Sequence, residues 1–390
     1  MADVDVKEIS PVAGIRFPVA SRPYRRFADN QAVNNLAGPV QFQPIQLPAS
    51  GFVRRVRCHF SQTWATNAGG VLVAGDAPWN LITNVTLTDA TGQPVFQPLT
   101  GYQWYLINKY IPSGTIKTNH PRNWNNPQMG PEYGYAVAGG TAGTANFRLD
   151  LDFEQDYNTG YGCVPNLDSN ASLQLRVGIA AAATAFTGGV PTAASMALVV
   201  QQDYWAPVAG MLGGQPVNTQ PVGFGDFVET RAETGTATAA AVNLLTITNR
   251  GGLIKTMILI SRAAGARVPF APGSNVDLIV DNVPQDEGCT LESHNDMVRR
   301  TYGYVGADIA AGLGAYAPLG AGVTSGLDTG VLVWPFFALS GGRETWLNTR
   351  VGSQVQVRVT PGAAATQTET LTQLGQIRAP EVFYASSALD

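Results

Sequence analysis

The chain has 390 residues, 24 Lys and Arg against 28 Asp and Glu, and only 13% charged residues where roughly 25% is usual. A net charge of −4 excludes a generally basic nucleic-acid binder, and 43 glycines and 25 prolines without a short period exclude collagen and coiled coil. A hydrophobic fraction of 45% is too apolar for disorder, and a surface so poor in charge points to burial against other protein.

Residues 1–38 precede the first clear strand pattern and read as an N-terminal arm. The first residues, Met1 to Asp5, are acidic and lack the apolar core of a secretion signal, so synthesis in the cytoplasm is expected. Further along the arm, Arg16, Arg22, Arg25 and Arg26 cluster, interleaved with Phe17, Tyr24 and Phe27.

Beyond the arm, apolar and polar residues alternate with period two, the signature of half-buried strands. Phe147, Leu149, Leu151 and Phe153 alternate with Arg148, Asp150, Asp152 and Glu154. Leu173, Leu175, Val177 and Ile179 form another such run, as do Val355, Val357 and Val359, and Gly- and Pro-rich turns separate the runs. The spacing predicts two helices, over residues 99–110 and 291–302.

An internal repeat is visible. Residues 40–56 match residues 242–257 as strand, Gly-containing turn (Gly51, Gly252) and second strand. An apolar strand ending in Asp89 or Asp281 follows in each half, then a turn and one of the two helices. Residues 172–177 later resemble 353–359. Repetition in one order predicts a duplicated β-domain, with a first unit at 39–210, a second at 211–390, and a seam in the Pro- and Gly-rich stretch 207–221. Units this long exceed an immunoglobulin sandwich and suit an eight-stranded jelly roll. The expected fold is therefore all-β, two jelly rolls in tandem with a few short helices in loops.

Chemistry-bearing patterns are sparse. His59, His120 and His294 lack metal-ligand spacing, and neither a nucleophile elbow nor a phosphate loop occurs. Cys58, Cys163 and Cys289 form no CxxC pair and read as buried small hydrophobes. Asp150, Asp152, Glu154 and Asp156 read as a solvated or inter-subunit salt-bridging face before a calcium site. Tyr102, Trp104 and Tyr105 read as helix-to-sheet packing before a sugar platform. No enzyme activity, cofactor or metal is expected.

The order Gly51 to Val56, then Pro78-Trp79-Asn80-Leu81-Ile82, a strand ending at Asp89 and Gly101 to Asn108 resembles the double jelly-roll major capsid proteins, nearest those of tectiviruses, tailless double-stranded DNA phages with an internal membrane. The resemblance covers most of the first half, and the second by topology and length. It implies a homotrimer with six lobes, a pseudo-hexagonal tile of an icosahedral virion capsid. It further implies contacts with neighbouring trimers, with penton or vertex and minor capsid proteins, and with an internal lipid membrane, without sequence-specific nucleic acid binding. The long loop at 306–330 would then form towers or clasp neighbours. Under this resemblance the arm bearing Arg16, Arg22, Arg25 and Arg26 docks on its own trimer, or faces the shell interior and touches anionic lipid, or less favourably nucleic acid. The competing reading is a carbohydrate-binding jelly-roll protein, a viral spike or a lectin.

Overall fold

The computed structural model describes residues 15–377 apart from 66–71, 75, 90, 112–141, 157–158, 170–171, 222–225, 249–250, 305–307, 309–325, 340–345 and 350–353. The first half carries β1 (Pro23–Asn34), β2 (Val40–Gln41), β3 (Ile45–Gln46), β4 (Gly51–Trp64), β5 (Leu72–Val73) and β6 (Ile82–Thr88). After helix α2 (Gly101–Tyr110) come β7 (Gly143–Asp152), β8 (Val164–Asn166), β9 (Gln174–Ile179), β10 (Phe186–Thr187) and β11 (Ser195–Trp205); a single turn, α1 (Phe17–Ala20), precedes β1. A short hairpin, β12 (Met211–Leu212) and β13 (Gln215–Pro216), lies in the expected seam. The second half has β14 (Asp226–Thr236), β15 (Asn243–Ile247), β16 (Leu253–Ala263), β17 (Ala266–Arg267), β18 (Asp277–Val280) and β19 (Val283–Pro284). Helix α3 (Leu291–Tyr302), β20 (Val331–Pro335), β21 (Leu347–Asn348), β22 (Val355–Val359) and β23 (Gln367–Ile377) complete it.

Strand pairing repeats between the halves. One sheet runs β1-β11-β4-β7 with β8 beside the start of β4; its counterpart runs β14-β23-β16 with β20 and β21 beside β16. The facing sheets are β2 and β3 on β9 with β6 beyond, and β15-β22-β18-β19. In the first half, isolated bridges Val85–Leu99 and Thr88–Pro94 stand where β19 stands in the second. All these ladders are antiparallel. Each half is thus a jelly roll, two four-stranded layers closed over a core.

The alternating runs explain the layers. Val56, Cys58 and Phe60 on β4, Leu149 and Leu151 on β7, and Met196, Leu198 and Val200 on β11 meet Leu175 and Val177 on β9 and Val85 and Leu87 on β6. Phe60 and Phe147 stack across β4 and β7 with centroids 5.0 Å apart. Each such side chain contributes roughly 1.5–3 kcal/mol on burial. In the second half Val355, Val357 and Val359 pack with Met257, Leu259 and Trp334. The other face of β16, Ile258 and Ile260, joins the core of the first half instead. A strand covered on both faces needs no alternation, which accounts for the unbroken run Met257 to Ile260.

The repeated glycines have one cause. A Cβ on Gly51 would lie 2.2 Å from the Trp205 carbonyl oxygen on β11, and one on Gly252 would lie 2.7 Å from that of Gly375 on β23, the corresponding neighbour. The strand-ending aspartates bond differently, Asp89 within its own turn and Asp281 to the distant Gln354. Asp89 accepts from the amides of Thr91 and Gln93 at 2.9 and 3.0 Å, and Asp281, at φ 51°, accepts from the Gln354 amide at 2.8 Å. Helix α2 begins with a capping box between Thr100 and Gln103. In α3, Thr290 caps the start, Arg299 and Arg300 occupy the last turn, and Gly303 ends it at φ 70°.

One boundary is corrected. Residues 23–34, assigned to the arm, form β1, paired over its length with β11. The strand was hidden because it lies at a sheet edge, with residues 23–27 exposed on both faces, so no alternation marks it. Most of the loop 306–330 lies outside the described residues, but its end, 326–330, is described and packs within the chain, with Gly326 and Asp328 bonded to Lys109.

Candidate assembly surfaces and the seam between the lobes

All ten residues of α2 are buried, because the helix is wedged between the two jelly rolls. On one side Trp79 packs on Tyr105 at 4.2 Å between centroids. On the other, Tyr110 meets Tyr302 and Tyr304 edge-on at 5.6 and 6.1 Å. Tyr102, Trp104 and Tyr105 are therefore packing residues, and no platform for a sugar remains there.

Asp328 is the hub of this seam. Its Oδ2 lies 2.6 Å from Lys109 Nζ and accepts from the Tyr110 hydroxyl at 2.8 Å, and its backbone amide donates to that same hydroxyl at 3.0 Å. Lys109 Nζ also donates to the Gly326 carbonyl at 2.9 Å and sits over the rings of Tyr105, Tyr110 and Tyr304. Both members of the pair are almost completely buried. Burial pulls the Lys109 pKa below its usual value, while the Asp328 charge works to hold the proton on. The hydroxyls of Tyr302 and Tyr304 donate to the carbonyls of Tyr110 and Lys109 at 2.6 and 3.1 Å, satisfying the end of α2 from the other lobe.

Further polar ties cross the same seam. Arg262 and Arg267 of the second half hold Asp76 of the first at 2.9 and 2.5 Å. Gln103 donates to Glu369, which also pairs with Arg262 at 2.8 Å. Lys255 Nζ donates to Gln155 at 2.6 Å. Buried ion pairs of this kind add little net stability but fix one relative placement, since any slip leaves a charge unpaired in a dry seam.

The carboxylates of β7 were expected on a solvated or inter-subunit face, and the structure corrects this. Asp150 and Glu154 are buried and Asp152 is half-buried, held within the chain by arginines of β4 and, for Asp150, by Arg148 of β7 at 3.0 Å. Arg54 pairs with Glu154 at 2.6 Å, Arg55 with Asp152, and Arg57 with Asp203 at 2.6 Å. Trp205 Nε1 donates to Glu154 at 2.6 Å. Opposite charges on adjacent strands face one another directly, which consumes the carboxylates structurally. Among the described residues no group of three or more His, Cys, Asp or Glu could hold a metal ion. Cys58 and Cys163 are buried and their thiol pKa values are pushed up by desolvation. Cys289, expected buried, is half-exposed. His294 is buried, His59 is half-buried, and His120 lies outside the described residues.

Arg16, Arg22, Arg25 and Arg26 are all exposed: Arg16 just before α1, Arg22 between α1 and β1, and Arg25 and Arg26 at the start of β1. Arg25 reaches Asp203 at 2.9 Å and Arg26 the Ala49 carbonyl at 3.2 Å. Beside them Val19, Tyr24 and Phe27 are 74%, 47% and 57% exposed. A second exposed stretch went unread in the sequence: Asp281 in the turn between β18 and β19, Asp286 and Glu287 in the loop before α3, and Glu292 and Asp296 on α3, with Val283 and Met297 among them. The density of acids over residues 281–296 was its signal.

Two jelly rolls in one chain, joined by a buried helix and a network of ion pairs, constitute the double jelly-roll fold of viral major capsid proteins. The major capsid protein of STIV matches with a TM-score of 0.58 at 13% identity, over 94% of this chain and 99% of that one. The atomic structure of Sulfolobus turreted icosahedral virus matches at 0.59 and 12% identity, over 92% and 91%. The PBCV-1 virus capsid matches at 0.55 and 10% identity, over 92% and 95%. No protein-family model matches the chain, and no curated protein does.

Proposed function

We propose that the protein is the major building block of an icosahedral virus shell, acting by self-assembly and not by catalysis. Three copies associate, and two lobes per chain give a six-lobed, pseudo-hexagonal tile that abuts neighbouring tiles and, at the vertices, penton and minor capsid proteins. The tectivirus-like form of this reading adds a lipid membrane beneath the shell. The observation that carries the proposal is the locked pair of lobes. A tile needs its two jelly rolls held at one fixed setting, and the Asp328 hub with the Asp76 and Glu369 pairs supplies buried, geometrically demanding contacts between them. The low charge fits as well, since large obligate interfaces are depleted in charge at their centres.

Electron-microscope images of the purified protein test this reading. Compact particles with six lobes are expected; isolated two-lobed particles at all concentrations would contradict it.

A further inference from the structure

The charges left on the surface are not scattered. Among the described residues six Lys or Arg side chains are exposed, Arg16, Arg22, Arg25, Arg26, Arg176 and Arg300, and four of them lie within residues 16–26 of the first lobe. Six Asp or Glu side chains are exposed, Asp281, Asp286, Glu287, Glu292, Asp296 and Asp308, and all lie on one stretch of the second lobe. The other charged side chains whose burial is described are wholly or partly buried, many of them in pairs such as those at the seam and on β4.

The two strips do not neutralise each other within one chain. Arg25 is spent on Asp203 and Arg26 on a carbonyl, while the side chains of Arg16 and Arg22 make no hydrogen bond or ion pair among the described residues. On the acidic strip Asp296 pairs with Arg300 at 2.7 Å, Asp308 with Arg299 at 2.6 Å, and Glu292 accepts from the Gly273 amide at 2.8 Å. The side chains of Asp286 and Glu287 make no such contact among the described residues. Each strip also exposes apolar groups between its charges, Val19, Tyr24 and Phe27 on one and Val283 and Met297 on the other. Apolar anchors ringed by charge of one sign form a contact that a surface of opposite sign can cover.

We infer that the basic strip flanking α1 and beginning β1 of one copy seats on the acidic strip formed by the turn between β18 and β19, the loop before α3, and α3 of the next copy. Each chain carries one strip of each sign on different lobes, so the contact is head-to-tail, first lobe to second lobe, and closes into a ring when the rotation divides a full turn. This rests on the trimeric reading above and adds its pairing rule and its residues. It also assigns the arginines to a protein partner and not to lipid.

The test is a charge exchange read by light-scattering mass, with circular dichroism confirming the fold. Arg22→Glu with Arg26→Glu, and separately Asp286→Lys with Glu287→Lys, should each reduce the trimer to monomers. All four changes in one chain should restore it. Mixing the two half-exchanged chains should give no closed trimer, because alternation of two kinds cannot close a ring of three. Folded half-exchanged variants that remain trimeric, or a folded four-fold variant that stays monomeric, would overturn the inference while leaving the trimer itself intact. So would Arg variants that trimerise as wild type yet lose flotation with phosphatidylserine-containing vesicles, an outcome that gives the strip to the membrane. A wild-type protein that is monomeric throughout would instead defeat the trimeric reading on which the inference stands.

Discussion

At the scale of single residues the molecule is held at one setting by groups that would be liabilities anywhere else. Lys109 and Asp328 are charged and buried, and they persist because each is satisfied by the other and by tyrosine and carbonyl groups from both lobes. Asp328→Ala should cost about 3–5 kcal/mol in urea unfolding, because it strands an ammonium among three aromatic rings. Replacing both partners by Lys109→Met and Asp328→Leu should recover most of that loss. If Asp328→Ala unfolds like the wild type, the pair is not the lock described. Asn108 plays a quieter part on the same helix. Its side chain donates to the Asp150 carbonyl at 2.6 Å and accepts from the Asp150 amide at 3.1 Å, covering the open edge of β7 as a neighbouring strand would.

Among the elements, α3 carries a pH dependence in the acid range. His294 packs against Trp334 of β20 with ring centroids 5.0 Å apart, and burial lowers its pKa to about 4. The unfolded chain holds the proton near pH 6.5. Between those values the unfolded state binds more protons, so the contribution of this histidine to stability is complete above pH 6.5 and is lost as pH falls towards 4. The slope is at most about 1.4 kcal/mol per pH unit. His294→Leu should flatten that part of the stability profile relative to wild type, and parallel profiles would show that the ring titrates normally.

Both helices were legible from spacing, and α3 begins and ends where the pattern placed it. The glycine shared by the two halves was legible as a repeat, although its cause, a carbonyl too close for any Cβ, is visible only in three dimensions. The signal at Thr100 and Gln103, a capping pair three residues apart, was present and unread. Two features were not legible. β1 has no buried face at its start, and hydropathy cannot report an edge. The carboxylates of β7 alternate as a solvated face would, and only the register that sets Asp152 against Arg55 shows that the facing strand neutralises them. Pairing between distant strands has no trace in a local pattern.

At the scale of the whole molecule, most charges among the described residues gather at a few places. Ion pairs at the seam join lobe to lobe, a ladder of pairs faces the β4 sheet, and among the described residues the exposed charges other than Arg176 and Arg300 fall in two strips of opposite sign. A free monomer gains little from such a surface, whereas a subunit that spends its life against copies of itself needs charge only where orientation must be set. This reading turns on self-association, and the most direct measurement is the molar mass of the purified protein by light scattering across a sizing column. The account predicts a stable species near three times 41.2 kDa. A species of one chain mass that persists on concentration would contradict it.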